Sequence, residues 1–106
     1  MGFLDKIMGK VNNRPAEIPE NAVWVDCRAF DEYQCDHLGE ALNIPHSEMP
    51  DRHTELGVDK DHPVYLYCAG GKRAEMAKQC LEAQGYTQVV NVGGLKDAKK
   101  CCGEDG

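Results

Sequence analysis

The run Val64-Tyr65-Leu66-Tyr67 stops at Cys68-Ala69-Gly70-Gly71-Lys72-Arg73 and passes directly into a segment of helical periodicity over Arg73 to Gln84. Aromatic and β-branched residues favour a strand, paired glycines a tight turn, and the following residues a helix. A helix that starts where a strand ends carries the chain back over one face of a sheet, so the next strand can run in the same direction. In that helix Met76, Ala77, Cys80 and Leu81 are expected on the buried face, with Glu75, Lys78, Gln79 and Glu82 opposite. Gly85 stands where a C-terminal cap belongs.

The same alternation extends along the chain. Ala22 to Asp26 reads as a short strand buried on both faces, and Ala29 to Cys35 as a short helix with Phe30 and Tyr33 on one side. Ala41 to Ile44 is a second short strand, ended by Pro45. The polar stretch His46 to Asp61 holds a short helix around Met49 to Leu56. Gln88 to Val92 is a last short strand, followed by Gly93-Gly94 and a short terminal helix. Near the start, Phe3, Leu4, Ile7, Met8 and Val11 recur at helical spacing, and residues 12–21 with Pro15 and Pro19 form a connector. The expected organisation is a short amphipathic helix and connector over 1–21, one domain over 22–100, and a tail over 101–106. The expected fold is α/β, three layers, with a mainly parallel sheet of four or five strands flanked by helices. Sheets of this kind gather their functional loops at the carboxyl ends of the strands.

Composition narrows the function. A chain of 106 residues makes one ordinary domain, and 12 Lys and Arg against 18 Asp and Glu give a net charge of −6. That charge offers no general basis for binding a phosphate backbone. Apolar residues at 42% and charged residues at 28% match a globular protein, not a disordered one. No apolar run approaches the roughly 20 residues of a membrane-spanning helix. The cysteines at 27, 35, 68, 80, 101 and 102 form no CxxC pair and are not spaced with the histidines as zinc ligands. The opening MGFLDKIMGK lacks a secretory pattern, and Lys6 stands where myristoylation wants Ser or Thr. The expectation is a cytoplasmic protein with reduced thiols and no nucleic-acid or membrane partner.

Cys68 is the thiol singled out. Glycines after it let successive backbone N–H groups turn inward as an anion-binding nest. The helix that follows adds unpaired N–H groups and the positive end of its dipole. Lys72 and Arg73 add full charges. Each feature favours thiolate over thiol, which makes Cys68 a candidate nucleophile and the backbone of Ala69, Gly70, Gly71, Lys72 and Arg73 a candidate anion cradle. The same cradle suits any anion carried on the sulfur, a persulfide included. The plainer alternative is a buried structural cysteine beside a glycine turn, which needs neither the glycines nor the cations.

With these residues the sequence resembles the rhodanese domain family of sulfurtransferases, in its single-domain form, over about residues 22 to 95. The resemblance is carried by Val25-Asp26-Cys27-Arg28 with Glu32-Tyr33, by His37-Leu38-Gly39-Glu40-Ala41-Leu42-Asn43-Ile44-Pro45, by the loop Cys68 to Arg73, and by Val92-Gly93-Gly94-Leu95. It implies that Cys68 is the active-site cysteine and that Ala69 to Arg73 cradle the anion. The loop has the family's shorter form, which implies sulfur rather than the bulkier oxyanions of related phosphatases and arsenate reductases. Asp36 stands where the family usually has Gly, and Ala74 where many relatives carry Ser or Thr. The family's usual first strand has no clear counterpart in Ala16 to Glu20.

The remaining polar residues read as support. Arg28 and Glu32 are expected to brace the loop end of the sheet, Asp26 to cap the next helix, and His37 and His46 to be hydrogen-bonded scaffold. Cys27 and Cys80 read as small core residues, Cys35 as partly exposed, and Trp24 as core beside Tyr65 and Tyr67. The vicinal Cys101 and Cys102 could receive sulfur from Cys68, bind a soft metal or do nothing; the last is the plainer reading for a terminus and sulfur relay the sharper. The expected function is transfer of a sulfane sulfur from a small anionic donor (thiosulfate, polysulfide or a small persulfide) to a thiol, cyanide or thioredoxin-like acceptor. The alternatives are a partner-dependent relay module and a cysteine-dependent phosphatase or arsenate reductase. No metal or organic cofactor is implied.

Overall fold

The computed structural model describes residues 18–103, so the amphipathic helix expected over residues 3–11 lies outside the described residues. The elements in chain order are β1 (Val23–Asp26), α1 (Phe30–Cys35), β2 (Leu42–Asn43), α2 (Met49–Arg52), β3 (Val64–Cys68), α3 (Lys72–Ala83), β4 (Val89–Gly94) and α4 (Leu95–Cys101). Single 3-10 turns, His46–Glu48 and His53–Leu56, flank α2. All strand pairs are parallel, in the order β2-β1-β3-β4. Residues 18–20 form a bend and a turn, so the described sheet has the lower of the two expected strand counts, four.

The strand order decides where a site can form. From β1 the chain moves outward to β2, then crosses back to lay β3 on the other side of β1. Connections therefore leave β1 and β3 in opposite directions, and a crevice opens beyond their carboxyl ends. In register, Asp26 faces Tyr67, which brings Cys27 and Cys68 to that crevice together.

Side-chain alternation along the strands divides the core in two. Val25, Cys27, Val64, Leu66 and Cys68 pack against Met49 of α2 and Ala74, Ala77 and Leu81 of α3. On the opposite face Tyr67 packs with Leu38, Ala41 and Ala98 of α4, bordered by Trp24, Val92 and Leu95. Trp24 is half-buried against Tyr65, their rings 5.3 Å apart.

Helix α3 forms from good helix formers and ends as expected. Gly85 takes φ +101°, a conformation that costs glycine little. Tyr86 then donates its N–H to the Leu81 carbonyl and Gly85 to that of Glu82, which closes the last turn of the helix. Its buried face differs from expectation. Ala74, Ala77 and Leu81 are buried and Cys80 partly so, whereas Met76 is 55% exposed. The phase is set at the first turn, where Ala74 lies against Cys68, and this rotates Met76 out to solvent.

Candidate active site

Cys68 closes β3 and pairs with Gly94 of β4 across an irregularity, because Leu66 pairs with Asn91 and three steps on β4 match two on β3. This bulge brings Gly93 and Gly94 beside the loop. A side chain at Gly94 would overlap the Ala69 carbonyl oxygen, and a Cβ on Gly71 would lie 3.3 Å from the Gly93 Cα. The expected glycines thus serve close backbone approach as well as turning.

Beyond Cys68 the chain curls back over the sulfur. Gly71, at φ +104°, is the N-cap of α3 and donates its N–H to Cys68 Sγ at 2.9 Å. The Ala74 N–H, in the first turn of α3, donates to the same sulfur at 3.4 Å. Two amides at the positive end of a twelve-residue helix therefore converge on one thiol. Ala74 lies one residue past the expected donors, and only Gly71 of the expected Ala69 to Arg73 set donates directly to sulfur. The sulfur sits at the bottom of the cup: Cys68 is 1% exposed, while Ala69, Gly70 and Lys72 on the rim are exposed.

The two loop cations part company. Arg73 turns to α1, its Nη1 and Nη2 bonding Glu32 Oε1 and Oε2 at 2.8 and 3.1 Å. Glu32 also accepts the Ala29 N–H at 3.0 Å, so it caps α1 while tying that helix to α3. The Arg73 guanidinium, helped by the Ala29 amide, holds the Glu32 carboxyl down at about 2. Lys72 remains exposed and makes no ion pair among the described residues, which leaves it as the unneutralised cation of the rim.

Beneath the loop, Asp26 and Arg28 form a buried pair. Asp26 is fully buried and accepts the Arg28 backbone N–H at 2.9 Å, Nε at 3.0 Å and Nη2 at 2.7 Å. Asp26 therefore does not cap α1, whose N-cap is Ala29. Arg28 arrives two residues later and folds back onto the carboxylate before the helix begins. Its Nη2 also donates to the Asp36 carbonyl at 2.5 Å, and Asn43 Nδ2 donates to the carbonyls of Asp26 and Arg28. Arg28 and Glu32 thus brace the same end of the sheet through different partners.

Asp36, in place of the usual glycine, adopts extended backbone at φ −172° and pairs with Lys99 of α4 at 2.7 Å. His37 stacks on Tyr33 at 3.8 Å, and its Nδ1 lies 2.8 Å from the Tyr33 carbonyl oxygen. His46 donates its backbone N–H to the Cys27 carbonyl. Cys35 is exposed.

Cys27 occupies the strand position beside Cys68, but burial, reinforced by Cys68 and Asp26, pushes its thiol up to about 12. It stays protonated and does not compete as a nucleophile. Cys102 lies elsewhere, lining a cavity of about 420 Å³ with Ala22, Val23, Trp24 and Leu42. That is the amino end of β1, whereas Cys68 closes the carboxyl end of β3. At about 3.3 Å per residue the two ends are roughly 10–13 Å apart. Cys102 thus lies toward the opposite end of the sheet from Cys68.

One residue that touches the loop has no place among the expected site residues. Asn91 of β4 donates Nδ2 to the Gly71 carbonyl at 2.9 Å and to Glu75 Oε1 at 3.1 Å, and its Oδ1 accepts the Gly93 N–H at 2.9 Å. Its available signal is a polar residue interrupting the apolar run Val89-Val90-Asn91-Val92.

The family model described as Rhodanese-like domain matches residues 11–101 of the chain. The chain belongs to the rhodanese-like domain family. A thiosulfate sulfurtransferase of Escherichia coli K12, PspE, is 42% identical over 74 residues, 70% of this chain and 71% of the relative. A solved rhodanese with anions from E. coli superposes with a TM-score of 0.68 at 41% identity, covering 72% of this chain and 89% of that one. A human single-domain sulfurtransferase, TSTD1, gives a TM-score of 0.63 at 25% identity, with 74% and 81% coverage. This rhodanese-like domain is an enzyme of the sulfurtransferase class. Its parallel sheet, with helices on both faces, is the rhodanese fold. No helix among the described residues is long and apolar enough to cross a membrane.

Proposed function

We propose that the chain moves a sulfane sulfur through a persulfide on Cys68. The observation that carries this reading is the convergence of the Gly71 and Ala74 N–H groups on Cys68 Sγ at the start of α3. Donors aimed at a sulfur stabilise negative charge there without reorganising when it develops. In the first half-reaction the Cys68 thiolate attacks the outer sulfur of thiosulfate. The thiosulfate S–S bond breaks, sulfite leaves with the bonding pair, and the charge moves to the terminal sulfur of Cys68–S–S⁻. In the second, a thiolate or cyanide attacks that terminal sulfur and the Cys68 thiolate is released. Polysulfides and small persulfides react by the same exchange. Lys72, exposed and unpaired at the rim, draws in the anionic donor, while Arg73 is largely neutralised by Glu32. A sulfur that is only 1% exposed favours slender donors, and the acceptor is a thiol, cyanide or a thioredoxin-like protein.

Intact mass after incubation with thiosulfate tests the reading. The expected result is a gain of one sulfur atom, removed by cyanide and absent in Cys68→Ser, with ping-pong kinetics. No mass gain from any small donor, together with turnover of an aryl phosphate, would overturn it in favour of the phosphatase alternative. No gain from small donors but loading by a persulfide-bearing protein would overturn it in favour of partner-dependent relay.

A further inference from the structure

We propose that Asn91 is a positioning residue that presets the Gly71 amide for the charge on Cys68. This rests on the sulfurtransferase reading only for the identity of the reaction; the geometry concerns the cradle itself.

Gly71 is the pivot of the cradle. Its N–H faces Cys68 Sγ, and its carbonyl begins α3 by accepting the Glu75 N–H at 3.0 Å. No side chain caps this helix start, because the N-cap is glycine. The preceding residue is also glycine, with nothing within 4 Å of where its Cβ would be. Two adjacent glycines have more conformational freedom to lose than any other pair, so their geometry must be imposed from outside the loop.

Asn91 is placed to impose it. Its carboxamide is polarised in one sense by the Gly93 N–H on Oδ1, which leaves Nδ2 facing the loop. Nδ2 then reaches both ends of the first turn of α3, the Gly71 carbonyl and the Glu75 carboxylate, and the Glu75 carboxyl is held below its usual range by this bond. The Gly71 N–H and C=O flank one Cα, so fixing the carbonyl limits rotation of the amide. Gly93 also comes so near that a Cβ on Gly71 would lie 3.3 Å from its Cα, which limits the room on the backbone side. One side chain thereby joins the β4 bulge to the residue that donates to the reacting sulfur.

The test uses Asn91→Asp and Asn91→Ser in the full chain. Aspartate is isosteric and keeps an acceptor for Gly93, but it presents an oxygen to the Gly71 carbonyl; serine is too short to reach. Thermal unfolding is measured alongside single-turnover sulfur loading from thiosulfate, and alkylation of Cys68 by iodoacetamide. The expected result is a loading rate at saturating thiosulfate about tenfold lower or worse, with Asp the more impaired. The half-saturating concentration stays within about twofold, since donor capture is the work of Lys72, and the unfolding midpoint moves little. Rates within twofold of wild type in folded variants would overturn the proposal. So would a loss that tracks the unfolded fraction, or the failure of both variants to fold, since either makes Asn91 a purely structural residue. If wild type takes up no sulfur, the functional reading fails while alkylation still decides this one. A Cys68 alkylation rate about tenfold lower in both variants upholds the proposal, and an unchanged rate overturns it.

Discussion

Replacing Glu32 with Gln removes the carboxylate that fastens α1 to α3 across the mouth of the site. Two Arg73 bonds, at 2.8 and 3.1 Å, converge on that carboxylate, in the two-pronged geometry that makes arginine pairs strong. Taken at face value, holding a carboxyl at about 2 instead of 4.5 would be worth about 3 kcal/mol. The side chains are 31% and 37% exposed, so solvent screening reduces this to about 1 kcal/mol, the upper end for surface pairs. The folded carboxyl titrates below the unfolded one, so the stabilisation is complete above about pH 4.5 and drains away as pH falls towards 2. Urea unfolding followed by Trp24 fluorescence at pH 7, 4 and 3 measures the effect. Wild type should exceed Glu32→Gln by about 1 kcal/mol at pH 7, with the gap shrinking steadily at the lower values and in high salt. A gap below about 0.3 kcal/mol at pH 7, or one that persists unchanged to pH 3, refutes the assignment of this pair as the cause.

Three other perturbations separate the parts of the site. Asp26→Asn strips a fully buried carboxylate from Arg28 and should cost about 3–5 kcal/mol in unfolding free energy, because it leaves a cation without its partner. A loss under about 1 kcal/mol would show that water reaches the pair. Gly94→Ala forces a methyl group into the Ala69 carbonyl oxygen, so sulfur loading and the unfolding midpoint should fall together; full loading in this variant contradicts the close approach. Lys72→Ala should raise the half-saturating thiosulfate concentration severalfold and flatten its dependence on ionic strength, and an unchanged salt response removes Lys72 from donor capture.

What could be read in advance follows the range of the forces involved. The strand–turn–helix unit at Cys68 was readable because branched and aromatic residues, paired glycines and helix formers each act locally. The place of Met76 on α3 was not. Periodicity offers Met76 and Ala77 almost equally, and the choice falls to a tertiary demand, the Ala74 amide reaching Cys68. Asp26 had the look of a helix cap because sequence order shows a carboxylate before a helix; it does not show an arginine turning back onto it. The partner of Arg73 is 41 residues away, so the neutralisation of one loop cation and the freedom of the other depended on how α1 lies against α3. Asn91 carried a faint mark, one amide amid valines, whose meaning required the bulge that brings β4 against the loop.

A substituent on the bare backbone at Gly70 would project into empty space, touching neither the packed interior nor the amides that face the thiol. Position 70 can therefore accept a side chain without displacing any neighbour, unlike Gly71 and Gly94, which lie a few ångströms away from other backbone. Variation at this one point of the loop leaves the close approaches at Gly71 and Gly94 as they are.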